Sequence, residues 1–290
     1  MRVAIIGAGA MGKWLVNFAQ QNLGQVTIAD IDVDKAKKVA KEAGVKAAET
    51  CEEAVAKANV AIIAVPIAKT PEVVKSLAKE MRAGALLMDV ASAKSDVVDM
   101  MKGLDPDLEL ELVSIHPLFG PGATTLEGKD FAAVLVKPGK RYAQFKKSLT
   151  KLGASITEME AEEHDKVMAI SQCLTHFVLL SYLSAVKSTK EMKLAEKLRT
   201  PMFKALLDLA KAVLAGNPDL YGEMQVMNKY AQLTRCVLME ACRSLDVAFT
   251  ARDAKATREV FDKALALWGQ PEAQAEYKRL YERFEGEEKT

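Results

Sequence analysis

The chain has 290 residues, 50% of them hydrophobic and 27% charged, and its 40 Lys and Arg against 39 Asp and Glu leave a formal net charge of +1. A chain of this length buries roughly 75% of its unfolded surface and suggests about two domains. Its ordinary composition excludes a disordered or low-complexity polypeptide, and the balanced charge argues against a dedicated nucleic-acid binder. No uninterrupted apolar run reaches the ~18 residues of a membrane span; the longest, Val60 to Ala68, is broken by Pro66. The N-terminus matches a signal peptide poorly. Cys51, Cys173, Cys236 and Cys242 show no CxxC spacing, so neither a metal site nor a disulfide framework is expected, and a cytoplasmic protein with reduced thiols is.

Two textures follow one another along the chain. Arg2–Ile6, Gln25–Ala29, Val60–Ala64, Ala85–Met88 and Leu110–Ser114 read as strands, and Met11–Gln21, Asp34–Ala43, Thr70–Arg82 and Lys94–Met101 as helices. Such alternation implies a doubly wound, mainly parallel sheet with helices on both faces. The runs VAII, AIIAV and ALLM are apolar throughout, as strands covered on both faces must be. After a last strand at Ala154–Thr157 the strand signal stops. Glu160 to Lys190 has neither Pro nor Gly and reads as one long helix. Thr200–Pro201 and Asn217–Pro218 each read as an N-cap followed by Pro at the first helical position. The helix begun at Pro218 is expected to run through Val226, Tyr230, Leu233, Val237 and Ala241, and Gly269 and Pro271 punctuate two last helices. The expected fold is therefore an α/β Rossmann domain over 1–157 and an all-α domain over 158–290. The wide apolar faces of the second are expected to pair in a homodimer.

The first strand leads directly into Gly7-Ala8-Gly9-Ala10-Met11-Gly12 and then a helix, which is GxGxxG in the context a dinucleotide site requires. Gly7 allows the tight turn, Gly9 lets a pyrophosphate approach the backbone, and Gly12 lets the helix pack on the strand. The N–H groups of Ala10 and Met11 face the phosphates at the positive helix end. Asp30, at the end of the second strand, is placed to accept both ribose hydroxyls and to repel a 2′-phosphate, which favours NAD over NADP. A helix-capping or turn role is its bland alternative. Val65, Pro66 and Ile67 end the next strand at the sheet edge that faces the cofactor.

Two later segments end on the same edge: Asp89-Val-Ala-Ser92-Ala-Lys94 and Ser114-Ile-His116-Pro117-Leu118-Phe119-Gly120-Pro121. His116, held extended by the following proline in a loop fixed by the Gly-Pro turn, is a candidate proton acceptor for a substrate hydroxyl. Ser92 either bonds that hydroxyl or caps the next helix. Lys94 either attracts a substrate carboxylate or is a solvated helix residue. On the long helix, about 100° per residue puts Asp165, Gln172 and His176 on one stripe and His164 about 120° from His176. That stripe lines a cleft or belongs to the core.

GAGAMG at 7–12, DVASAK at 89–94, SIHPLFGPG at 114–122 and EHDKVMAISQCLTHF at 163–177 resemble the prephenate dehydrogenase family, over most of the chain. The resemblance implies a Rossmann domain, a helical dimerisation domain, and oxidative decarboxylation of prephenate or arogenate with NAD or NADP as hydride acceptor, a reaction that requires no metal. By resemblance His116 contacts the ring hydroxyl and assists its deprotonation, Ser92 lies beside that hydroxyl and the nicotinamide, and His176 is a substrate-pocket histidine. Gln172 and Lys94 are expected as further substrate contacts from their positions alone. Two positions depart from the family: Cys173 stands where some relatives have a second histidine, and Ala212, beside Lys211, where many have a carboxylate-binding arginine. Lys211, Lys204, Arg199 and Arg235 are the available substitutes. One rival is a β-hydroxyacid dehydrogenase using Lys166, which leaves HPLFGP unexplained. The other is a non-catalytic NAD sensor.

Overall fold

The computed structural model describes residues 1–287. Its elements divide into two compact units, Met1–Met168 with Val226–Lys229, and Ala169–Gln225 with the chain from Tyr230 onward. In the first unit the elements run β1 (Arg2–Ile6), α1 (Ala10–Asn22), β2 (Gln25–Ala29), α2 (Val33–Ala43), β3 (Lys46–Ala47), α3 (Cys51–Ala56), β4 (Val60–Ile63), α4 (Thr70–Ala78), β5 (Leu86–Asp89), α5 (Ser95–Lys102), β6 (Glu111–Pro117), β7 (Asp130–Lys137), α6 (Lys140–Lys151), β8 (Ser155–Glu158) and α7 (Ala161–Met168). They form one eight-stranded sheet in the order β3-β2-β1-β4-β5-β6-β7-β8. Strands β1 to β6 pair in parallel, β7 runs antiparallel to β6, and β8 is parallel to β7.

The apolar strands have two faces to fill. Period-two alternation sends Val3 and Ile5 of β1 into a core with Leu15, Phe18, Ile62, Met88, Val113 and Phe145. It sends Ala4 and Ile6 into a second core with Val74, Leu77, Leu87, Val98 and Met101. Burial on both faces is what a parallel sheet needs, and it explains the lack of polar alternation in VAII. The register Ile6–Ile63, Ile63–Asp89 and Asp89–Ser114 aligns the strand ends, so Gly7, Ala64, Val90 and His116 all fall along one C-terminal edge.

The second unit begins with a π-helical segment, Ala169–Leu174, and continues through α8 (Thr175–Lys187), α9 (Met192–Lys197), α10 (Pro201–Val213), α11 (Pro218–Met227, its last two residues in the first unit), α12 (Ala231–Thr250), α13 (Ala256–Trp268) and α14 (Gln270–Glu287). The Thr200 hydroxyl accepts the Phe203 N–H at 3.3 Å ahead of Pro201, as the sequence predicts for a capped start. Leu179, Ala210 and Val213 form a small core between α8 and α10. Leu209, Leu233, Val237, Phe261, Leu267 and Trp268 are exposed.

Three expectations change. The helix expected over 160–190 is not uniformly α, since the π segment interrupts it. It ends at Lys187, and 161–187 is long and apolar enough, by length and composition, to cross a membrane. A search for uninterrupted apolar runs misses this because His164, Asp165, Gln172 and His176 are scattered along it. The helix expected from Pro218 through Ala241 is two, broken at 228–230, where the Asn228 amide turns to donate to the Asp165 carbonyl at 2.8 Å. The first unit also runs past the expected break at 157/158, because α7 carries buried His164 and Asp165 against α5 and β6.

Candidate active site

The glycine turn is sterically dictated. Gly7 has φ +109°, and a Cβ there would stand 2.3 Å from the Ala64 carbonyl oxygen. At Gly12 a Cβ would stand 1.9 Å from the Gly7 oxygen. At Gly9 nothing lies within 4 Å of the Cβ position, so the backbone is open on that side. Gly9 also occupies the N-cap of α1 with no side-chain cap, leaving the first helical N–H groups for an anion. Asp30 closes the turn: its Oδ2 accepts the Ala8 N–H at 2.6 Å and its Oδ1 the Asp32 N–H at 2.8 Å. The capping of α2 is done by Asp32, which accepts the Lys35 N–H, not by Asp30. Beyond β4, Pro66 (φ −50°) opens a short 3₁₀ turn over Ile67–Lys69, its carbonyl accepting Lys69 and Thr70 N–H. An open glycine cradle, a helix end and a carboxylate at the second strand fit a dinucleotide, and the first unit is a dinucleotide-binding Rossmann domain.

Around the ends of β5 and β6 lies a buried polar cluster. His116 is in β6, not in a loop, paired across from Ala132 of β7. The segment behind it is pinned by Phe119, whose ring packs edge-on against Trp14 of α1 at 5.1 Å and Phe131 of β7 at 5.2 Å. The Trp14 indole donates to the Ala123 carbonyl at 2.8 Å. His116 Nδ1 lies 2.9 Å from His164 Nε2, and His164 Nδ1 lies 2.8 Å from Asp165 Oδ1. Asp165 also accepts the Lys94 N–H at 2.8 Å, the Ser95 N–H at 2.9 Å and the Ser95 hydroxyl at 2.6 Å, and so caps α5.

Lys94 is completely buried. It is not solvated, and its charge is already taken: Nζ donates to Asp89 Oδ1 at 2.9 Å and to the Ile115 carbonyl at 2.8 Å. Ser92 sits half-buried in the β5–α5 connection. The helix starts at Ser95, so the capping alternative for Ser92 falls to Asp165. Asp89 Oδ2 and the Ser114 hydroxyl, cross-strand neighbours, are buried without a partner among the described residues.

Burial, then Lys94, then His164, push the His116 imidazole well below its usual value, so the ring is neutral. Burial also lowers His164 against the opposing pull of Asp165. Burial pushes the Asp165 carboxyl up, but hydrogen bonds from His164, Ser95 and the Lys94 and Ser95 backbones outweigh it and hold the group below the ordinary carboxylate range. Both histidines therefore favour the unfolded state in acid. Between 6.5 and their lowered native values the unfolded chain binds protons that the folded chain refuses. The stability is complete above about pH 6.5 and is lost below it, at up to about 1.4 kcal/mol per pH unit for each histidine. Urea melts at about pH 7.5 and about pH 5.5 check this; a stability that does not fall over that interval contradicts the neutral assignment.

In the second unit, the His176 ring lies 4.6 Å from that of Tyr221, burial lowers its proton affinity, and its Nδ1 is buried without a partner among the described residues. Gln172 lies in the π segment. Asp165 belongs to the first unit's cluster, and Gln172 and His176 to the second unit. Cys173 donates to the Met224 carbonyl at 3.3 Å. Lys211 pairs with Glu196 and Lys204 with Asp208. The Arg235 guanidinium is held on Gln225, 5.9 Å from the Phe177 ring. His164 is the residue that the sequence reading set aside; its adjacency to Asp165 in the HD dipeptide was the available signal.

The chain is thus a Rossmann domain followed by a helical unit. The family profile described as prephenate dehydrogenase, nucleotide-binding domain, matches residues 17–136, and that described as prephenate dehydrogenase, dimerization domain, matches 160–260. The chain belongs to the prephenate dehydrogenase family. It is 28% identical over 279 residues to the 4-amino-4-deoxyprephenate dehydrogenase of Streptomyces pristinaespiralis, covering 94% of this chain and 93% of that protein. It is 27% identical over 279 residues to the probable arogenate/prephenate dehydrogenase of Methanocaldococcus jannaschii, covering 93% of this chain but 61% of that protein. The chain thus spans about three-fifths of the latter's length. The crystal structure of prephenate dehydrogenase from A. aeolicus in complex with hydroxyphenyl propionate and NAD+ superposes with a TM-score of 0.70 at 19% identity, covering 92% of this chain and 98% of that one.

Proposed function

We propose that this chain catalyses the NAD-dependent oxidative decarboxylation of prephenate to 4-hydroxyphenylpyruvate in tyrosine biosynthesis, as a cytoplasmic homodimer. The observation that carries the reading is His116: a neutral, buried imidazole at the end of β6, on the strand edge that also bears the glycine turn. NAD, when bound, accepts the hydride that leaves the carbinol carbon. Gly7, Ala8, Gly9, Ala10, Met11 and Gly12 hold its pyrophosphate, Asp30 its adenosine ribose, and Val65, Pro66 and Ile67 line its path. His116 takes the hydroxyl proton as the carbonyl forms. The C–COO bond then breaks, CO2 leaves, and its electron pair aromatises the ring as a phenolate. His116 returns the proton to that oxygen, so the sum is prephenate plus NAD giving 4-hydroxyphenylpyruvate, CO2 and NADH. Orientation and a positioned base are what the protein must supply. Ser92 bonds the reacting hydroxyl, and His176 and Gln172 belong to the substrate pocket. Arg235 anchors a substrate carboxylate: it is half-buried, whereas Arg199 is exposed and Lys204 and Lys211 already have acidic partners. The exposed apolar residues of α10, α12 and α13 form the dimer contact.

Initial rates with prephenate, arogenate and 4-amino-4-deoxyprephenate, each with NAD and NADP, test this. Fastest turnover of prephenate with NAD is expected, and no turnover of it overturns the reading. Asp30→Ser removes the charge that repels a 2′-phosphate and is expected to narrow the NAD:NADP ratio of kcat/KM by about tenfold or more. An unchanged ratio refutes the ribose role.

A further inference from the structure

The proposed chemistry uses His116 as its one base, and the ring begins a continuous buried chain of hydrogen bonds. We infer that His164 and Asp165 are positioning residues for His116, forming a carboxylate–imidazole–imidazole relay that fixes which of its nitrogens is the base. The inference rests on the reading of His116 as proton acceptor.

Donors and acceptors determine the proton positions. The two Asp165 oxygens accept four hydrogen bonds, from the Lys94 N–H and His164 at Oδ1 and from the Ser95 N–H and hydroxyl at Oδ2. An ionised carboxylate only accepts, so His164 carries its hydrogen on Nδ1. His164 Nε2 is then a lone pair, and the 2.9 Å contact is donated by His116 Nδ1–H. The basic lone pair of His116 is thereby on Nε2. When Nε2 takes a proton, the new charge is met through His164 by Asp165, with no group having to reorient. The other charged groups around the ring come from the β5–α5 segment: Lys94, which opposes protonation of His116, and Asp89, which is bound to Lys94. On the far side the Asn228 amide holds the Asp165 carbonyl.

Two readouts test the relay. Nitrogen-15 NMR of histidine-labelled protein reports the tautomer without substrate: His116 is expected as Nδ1–H in the wild type and as a tautomer mixture in His164→Leu. In kinetics with the turned-over substrate, His164→Leu is expected to lower kcat roughly 10²-fold or more, with KM little changed. His164→Gln places an amide oxygen where Nε2 stood and is expected to restore kcat to within about tenfold of wild type. An Nε2–H tautomer of His116 in the wild type overturns the relay. So does an unchanged kcat in His164→Leu when His116→Asn is inactive, or equal loss in both His164 variants. If no cyclohexadienol is turned over, the functional reading fails, and the NMR result still decides the relay.

Discussion

His116→Asn is expected to lower kcat by roughly 10²–10⁴-fold, the range a positioned general base supplies, with KM and NAD binding close to wild type. The asparagine amide stands where Nδ1 stood and continues to donate to His164, so the buried cluster keeps its hydrogen bond. What disappears is the lone pair on Nε2, and asparagine has no basic nitrogen to replace it. Steady-state kinetics at a pH on the plateau, with NAD affinity measured separately, check this. A variant within about tenfold of wild-type kcat removes His116 from the chemistry.

The second large effect is on stability. Lys94 and Asp89 form an ion pair with both side chains fully buried, at 2.9 Å. Lys94→Met keeps the length of the side chain and removes the charge. Asp89 is then left as a buried carboxylate whose Oδ1 retains only the Ala91 N–H and whose Oδ2 has no partner among the described residues. Breaking such a pair from one side costs about 3–5 kcal/mol, because the remaining charge is uncompensated in a medium that solvates it poorly. The loss also frees the Ile115 carbonyl at the base of the His116 position. Chemical denaturation is expected to show this loss, and Lys94→Met/Asp89→Leu, which removes both charges, is expected to recover most of it. A single variant within about 1 kcal/mol of wild type contradicts the buried pair as described.

The residues explain why some of this was legible beforehand. The dinucleotide turn is local: its glycines are demanded by contacts with Ala64 and Gly7 within one strand–turn–helix unit, and a spacing rule captures that. Strands β1, β4 and β5 were legible because burial on two faces leaves them apolar except at their ends, where Arg2 opens β1 and Asp89 closes β5. Strand β7 and helix α6 escaped because β7 reverses direction beside β6, outside the strand–helix alternation being followed. A helical wheel at about 100° per residue presumes uniform α-helix, and the segment Ala169–Leu174 is π-helical, which no periodicity of side-chain type announces. The partnership of His164 with His116 spans 48 residues, and no local pattern carries it. Lys94 read as solvated or ligand-seeking because lysines are rarely fully buried; Asp89, five residues earlier, is what makes its burial tolerable.

The reaction itself is tested most directly by a single-turnover experiment using prephenate labelled with carbon-13 in the ring carboxylate, with NAD and a stoichiometric amount of protein. One labelled CO2 and one 4-hydroxyphenylpyruvate for each NADH formed is the expected result. NADH without labelled CO2, or bound NAD that is never reduced, would contradict it.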